Sequence, residues 1–416
     1  MFKTAPGLVT AALFSFTLGA HSAELSLASS NIGNGLELLR EQLDRFETQT
    51  GHVVTLVPMP DSSSEQFTQY KVWLSAESSD VDVLLTDIIW APQLAEHFED
   101  LSAVIAGREQ EFLPATLQSQ LVDGRLVALP LFTSAPALFY RKDLLAKYDI
   151  AVPQTWTDLT VAAQQIMEAE RLNGHKDFWG YVFQGSPYEG LTCNMLEWVR
   201  SNGGGSVIDA TGSIDIDIEL AAESLNLARS WVGTISPEGV LSYQEEESRG
   251  VWQLGNAAFM RNWPYAETLG NFDDSPIKGK FAIAPLPHSE DNQSTPTLGG
   301  WNVAVSKYAT DTNTAKELAE FLISRDNQIE RLRFSGDLPT LIDIYSMPEI
   351  VAEQPSITQW LPILEAATPR PSAVMTTNYN EASAAMWTTA HAVLSGTGNA
   401  ADELRSLVDE LMLLKP

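Results

Sequence analysis

The sequence predicts an α/β protein of two lobes with a ligand cleft between them. Three observations lead there. The chain has 416 residues, enough for two lobes each with its own core. From Leu25 onward, strand-like runs alternate with helix-like patterns, which implies parallel sheets covered by helices on both faces. No internal repeat and no Pro/Gly/Ser-rich linker interrupts the chain, so it must pass between its lobes on ordered segments, the arrangement of a hinge.

The first elements read β-α-β. Leu25 to Ala28 is a short strand. Leu36, Leu39, Leu43 and Phe46 then recur at helical spacing, one apolar stripe on a charged helix that Gly51 stops. Val53 to Val57 and Val81 to Leu85 are further strands. Leu129 to Tyr140 is a long strand-like run broken by Ser134 and Pro136. Helical patterns follow around Thr157 to Arg171, Leu191 to Ser201 and Ile216 to Val232, with Gly203-Gly204-Gly205 as a turn. Phe281 to Leu286 is again strand-like, Pro287 to Pro296 is a polar loop, and Thr314 to Ile323 opens the C-terminal helical region. Leu131 to Ser134 and Ile283 to Leu286 are the candidate crossings between lobes. Ligands of such sheets sit at the carboxyl ends of strands.

Residues 1–23 read as a secretory signal peptide, not as fold. Lys3 supplies the basic start, Gly7 to Ala20 carries no charge, and Ala20 to Ala23 offers small residues for cleavage. The apolar run is short for a membrane span, and no membrane insertion is expected. Cys193 is the only cysteine, so no intrachain disulfide forms and no lipid is attached after the signal. An exported chain without an anchor fits the periplasm. Lys plus Arg number 25 against 54 Asp plus Glu, a net charge of −29. A surface this acidic repels phosphate backbones, which excludes nucleic acid as a partner.

No nucleophile elbow, phosphate loop, zinc helix or cysteine pair is present, and no cofactor or metal is expected. What stands out is aromatic residues beside glycines and single polar groups. They occur at Asp87 to Trp90, Tyr188-Glu189-Gly190, Arg261 to Tyr265 and Gly299 to Asn302. Sugars need this mixture: their C–H faces pack on aromatic rings and their hydroxyls need fixed donors and acceptors. Each element also has a plainer reading. Trp90 and Trp301 fit a core, Asp87 a helix cap, Glu189 a surface carboxylate, and Gly299-Gly300 a tight turn.

Taken together these segments resemble the trehalose/maltose-binding branch of the family-1 extracellular solute-binding proteins of ABC sugar importers. The stretches that carry the resemblance include DVDVLLTDIIWAPQ (Asp80 to Gln93), YEGLTCN (Tyr188 to Asn194), RNWPYA (Arg261 to Ala266), TLGGWNVAVSKY (Thr297 to Tyr308) and ATPRP (Ala367 to Pro371). The resemblance implies a two-lobed periplasmic binding protein fold of the maltose-binding kind. It implies a first lobe of residues 24–131 plus 285–318, and a second of 132–284 plus 319–416. It implies a sugar site with Asp87 as an acceptor in the first lobe, and with Trp263, Tyr265, Gly300 and Trp301 lining it. Tyr188 and Glu189 approach from the second lobe, and Arg370 lies near the cleft.

The chain departs from the family where a Tyr and an Asp are usual, at Phe132 and Ser134, where a carboxylate is usual, at Gly35, and where an arginine is usual, at Leu341. A buried hydroxyl that loses its partner costs about 1–3 kcal/mol, so such changes can reverse a preference among disaccharides. The expectation is a monomeric, non-enzymatic, periplasmic capture protein for a small glycoside, working with ABC permease subunits. An anionic or glycerol-linked glycoside, with Arg370 and Arg261 as anion partners, is an alternative within the class. A secreted glycoside hydrolase and a binder of another ligand class, such as a metal chelate or a polyamine, are alternatives outside it.

Overall fold

The computed structural model describes Met1, residues 22–30 and residues 35–415. Apart from Met1, Ser22 and Ala23, the expected signal peptide lies outside the described residues. Among the described residues no helix is long and apolar enough to cross a membrane.

Nine strands form two sheets: β1 (Glu24–Ser29), β2 (Val53–Pro58), β3 (Val83–Asp87), β4 (Leu129–Ser134), β5 (Ala137–Tyr140), β6 (Trp179–Val182), β7 (Ala257–Asn262), β8 (Ala282–Ala284) and β9 (Gly299–Val305). The first sheet has the order β2-β1-β3-β9-β4 and the second β8-β5-β7-β6. The helix at Gly35–Thr50 buries Leu39, Leu43 and Phe46 of the stripe read from the sequence, with Leu38 buried and Leu36 only half-buried, and ends at Gly51 with φ +78°.

The sheets are mixed, where the sequence suggested parallel ones. β1 pairs in parallel with β2 and β3, but β9 runs antiparallel to both β3 and β4. The reason is the route of the chain. It re-enters the first sheet at the end where β3 stops, so β9 must run the other way. This sets the start of β9 beside the end of β3, with Trp301 opposite Asp87.

The run from Leu129 to Tyr140 divides as its break suggested, with β4 in one sheet and β5 in the other. The first crossing is therefore at Ala135-Pro136, just beyond the segment read from the sequence. Two further crossings run side by side: Leu298 N donates to Thr368 O (2.9 Å) and Thr368 N to Pro296 O (2.8 Å). The hinge thus has three strands of chain, two of them hydrogen-bonded together.

The lobe boundaries differ from the expectation in three respects. The strand Leu129–Ser134 keeps residues 132–134 in the first lobe's sheet. His288 N still donates to Gln154 O (3.1 Å) and Ser289 N to Ser201 O (2.9 Å) in the second lobe, so the second crossing lies near residues 296–298 and not at Ile283 to Leu286. The third difference is the stretch after residue 318. Helices Thr312–Leu322 and Arg325–Phe334 pack against the helix at Gly35–Thr50. Gln42 and Arg45 on that helix bond to Asn327, and Arg331 bonds back to Gln42 (2.8 Å). Residues 319–334 therefore lie with the first lobe. Their amphipathic pattern shows which face is buried but not which lobe buries it. Helices Tyr379–Leu394 and Ala400–Leu413 pack on Glu189–Ser201 and Ile218–Trp231.

Candidate functional site

The site lies where the carboxyl ends of β1 and β3 and the start of β9 meet the second lobe. It is a cleft enclosing about 1310 Å³ of space, part of it open to solvent, and all nine residues singled out in the sequence line it. They are Asp87, Ser134, Tyr188, Glu189, Trp263, Tyr265, Gly300, Trp301 and Arg370.

From the first lobe, Asp87 is the last residue of β3 and Trp301 is its partner on β9. Trp301 is in turn opposite Phe132 on β4. Residues directly opposite in a ladder point to the same face, so a carboxylate, an indole and a phenyl ring stand in a row. Behind this row lies Trp90, 2% exposed and edge-on to Trp301 at 5.5 Å between ring centroids. Of the two tryptophans, Trp90 is core, and Trp301 is half-buried at the cleft wall.

The glycines before Trp301 are required by close approach. At Gly299 a Cβ would meet Ser134 Oγ at 2.7 Å and the Trp263 ring at 2.8 Å. At Gly300 φ is +138°, and a Cβ would lie 2.7 Å from the Phe132 carbonyl oxygen. The pair lets a second-lobe indole press against a first-lobe strand, which a tight turn alone would not need.

From the second lobe, Trp263 and Tyr265 stand half-buried on either side of the buried Pro264. Trp263 Nε1 donates to Glu245 Oε1 (3.3 Å) and Tyr265 Oη to Glu246 Oε1 (2.8 Å). The Arg261 guanidinium lies 4.5 Å from the Trp263 ring centroid and is itself fully buried. Glu197 holds it with bonds of 3.0 and 2.6 Å. Arg261 is therefore a support for the indole and does not line the cleft. This corrects the suggestion that it serves an anionic ligand.

Arg370 ties the two lobes together. Its Nη2 donates to Asp87 Oδ1 (2.6 Å) and its Nη1 to Glu189 Oε1 (2.9 Å). Glu189 also accepts from Tyr379 Oη and Ser383 Oγ, each at 2.6 Å. Glu189 is 4% exposed, so it is not a surface carboxylate. Burial pushes its carboxyl upward, against the pull of Arg370. Burial alone would lower Arg370, but Asp87 and Glu189 hold it well above its ordinary value, so it stays charged. Asp87 Oδ2 is 3.5 Å from Arg370 Nη1 and keeps acceptor capacity for a ligand. A further bond crosses the lobes from Glu189 N to Ser64 Oγ (3.2 Å).

Tyr188 covers Gly190, where a Cβ would meet its hydroxyl at 2.2 Å, and stands beside Glu245. Cys193 is 1% exposed, and burial pushes its thiol up to about 12, so it behaves as an apolar group.

The cleft also holds groups that the sequence reading missed. Ser29, Ser30, Asp61, Ser63, Glu245, Arg331 and Asp337 line it. Arg331 is committed to Leu322 O and Gln42 Oε1, both at 2.8 Å. Leu341, read as a lost arginine of the site, is 1% exposed and does not line the cleft. The basic residue on this side is Arg331. Asp337 follows the tight Gly336 (φ +76°) in a stretch that reads as an ordinary turn.

Burial pushes the Asp337 carboxyl up from 3.8 to about 7, with the Arg331 charge opposing. The folded state thus favours the protonated form, and its stability falls as pH rises from about 4 to about 7. Asp337→Asn removes this dependence. Its thermal midpoint is expected to gain on the wild type at pH 8 relative to pH 5. An identical difference at both pH values would contradict the shift.

The model of the bacterial extracellular solute-binding protein family matches residues 30–329. The chain belongs to that family. A relative from Deinococcus radiodurans, described as a probable ABC transporter-binding protein, is 37% identical over 416 residues, all of this chain and 98% of its own. Among solved structures, maltose-bound T. maritima MalE3 superimposes with a TM-score of 0.89 at 38% identity, covering 94% of this chain and all of that one. The GacH receptor of Streptomyces glaucescens superimposes with a TM-score of 0.83 at 21% identity, covering 95% and 98%, and supports the fold alone. The fold is the two-lobed α/β fold of the maltose-binding kind, with its cleft between the lobes.

Proposed function

We propose that this chain captures a neutral disaccharide or small glycoside, of the maltose, trehalose or sucrose kind, and delivers it to an ABC-type importer. The observation that carries the reading is the 38% identity, over 94% of this chain, to a structure solved with maltose bound. The chemistry of the cleft supports it. Trp301, Trp263, Tyr265 and Phe132 offer apolar faces, and Asp87, Asp337, Ser134 and Glu245 offer polar groups among them. The ligand binds one lobe, and rotation about the three-segment hinge brings in the other and expels water. Export to the periplasm, action as a monomer and docking of the closed form on permease subunits are parts of the same proposal.

The charge of the cleft favours a neutral ligand over an anionic one. Asp61, Asp87, Glu189, Glu245 and Asp337 line it against Arg331 and Arg370, and Arg370 is already paired twice. A hydrolase needs one carboxyl free to give a proton and a second free to attack or to activate water. Asp87 and Glu189 share one arginine, and Glu189 accepts three side-chain bonds, which suits a rigid binding site better.

A thermal-shift screen of the mature protein tests the reading. The panel holds maltose, trehalose, sucrose, a glucosylglycerol, a glucuronide and spermidine. A ligand at 100 times its dissociation constant adds about 2.7 kcal/mol of stability. A neutral glycoside is expected to raise the midpoint and to be recovered intact. A response to the glucuronide or spermidine alone, or recovery of cleaved sugar, would reject it.

A further inference from the structure

We propose that Asp337 is the hydroxyl acceptor for the second sugar ring, at the end of the cleft opposite Asp87. The inference rests on the sugar-binding reading above and extends it to a residue and a subsite.

The placement comes from the register of the first sheet. Asp87 on β3 is opposite Trp301 on β9, and Trp301 is opposite Phe132 on β4. Beyond β4 the next backbone is that of Leu338, whose carbonyl accepts from Thr133 N (2.9 Å) in an antiparallel bridge. Asp337 is the residue next along, on the Ser134 side. Three strand spacings of about 4.8 Å separate β3 from this backbone, roughly 14 Å. One pyranose ring cannot reach both carboxylates, whereas two linked rings can. Between them lie the half-buried Trp301 and Phe132, a surface for the sugar C–H faces.

The segment that carries Asp337 is fixed on both sides. Leu338 is held by Thr133. At Gly336, a Cβ would meet Thr268 Oγ1 at 2.4 Å and the Pro264 carbonyl at 3.4 Å, so this residue sits against the loop that bears Trp263. Asp337 is thereby clamped between the strand of the first lobe and the aromatic loop of the second.

Its carboxylate has no hydrogen-bond partner among the described residues, and the donors of the nearby Arg331 go to Leu322 O and Gln42 Oε1. A cleft-lining carboxylate without a partner among the described residues is suited to the hydroxyl of a ligand. The raised carboxyl accords with this.

The test is calorimetric titration of maltose, trehalose and sucrose into wild type, Asp337→Asn and Asp337→Ala, with circular dichroism of each. For the disaccharide that wild type binds best, affinity is expected to fall roughly ten- to a hundredfold in the variants, more in Ala, with spectra unchanged. Folded variants that bind as wild type would overturn this inference and leave the proposed function standing. Failure of both variants to fold would make Asp337 part of the framework and also overturn it. A wild type that binds none of the three would overturn the proposed function and this inference together.

Discussion

Replacing Arg370 with leucine is expected to lower unfolding stability by about 3–5 kcal/mol, because it strands buried carboxylates without their counter-charge. The guanidinium is the shared donor to Asp87 at 2.6 Å and Glu189 at 2.9 Å, and all three residues are under 8% exposed. Against a typical total of about 5–15 kcal/mol the loss is large. Lysine should not restore it, since one ammonium cannot reproduce the planar fork that meets two carboxylates in different lobes. The deficit should shrink at acidic pH, where Glu189, whose carboxyl burial pushes upward, takes up a proton and loses its charge. Chemical denaturation at pH 7.5 and pH 5 reads both effects. A loss below about 1 kcal/mol at pH 7.5 would mean that water already solvates the trio, as for an exposed pair.

Trp301→Ala should act mainly on the ligand. Truncating a buried core tryptophan costs about 3–5 kcal/mol of stability. Trp301 is half-buried, packs edge-on to Trp90 and presents its remaining surface to the cleft, so its stability cost should be smaller. Its loss from the bound state removes the central apolar surface between Asp87 and Phe132. That should weaken binding by about 2 kcal/mol or more, roughly thirtyfold. Trp90→Ala should show the reverse pattern, a large loss of stability with affinity changed only as far as Trp301 shifts. Denaturation without sugar and calorimetry with it separate the two. If Trp301→Ala loses several kcal/mol of stability yet binds normally, the indole belongs to the core.

The pair Trp90 and Trp301 shows what the sequence can and cannot tell. Trp90 lies three residues after Asp87 and Trp301 directly after Gly299-Gly300, and nothing local says which one faces the cleft. The difference arises from the antiparallel entry of β9, which stacks one indole behind the other. Asp87, Trp263, Tyr265 and Gly300 were legible through the family resemblance of the segments that carry them, since taken alone Asp87 also reads as a helix cap and Gly300 as part of a tight turn. Glu189 was legible as a site residue but not as a saturated one, since Tyr379 and Ser383 lie about 190 residues away in sequence. Asp337 had no local signal at all, because its place depends on the bridge from Thr133 to Leu338. The two-lobed fold was readable from alternating periodicity. The lobe that receives residues 319–334 was not, because a helix stripe does not name its partner.

The most direct test of the central claim is calorimetric titration of maltose into the purified mature protein. A single saturable site with a micromolar dissociation constant, about −8 kcal/mol, is the predicted result, with affinity roughly thirtyfold weaker in Trp301→Ala. Absence of heat for maltose and its disaccharide relatives, alongside saturable binding of an anionic sugar or a polyamine, would contradict it.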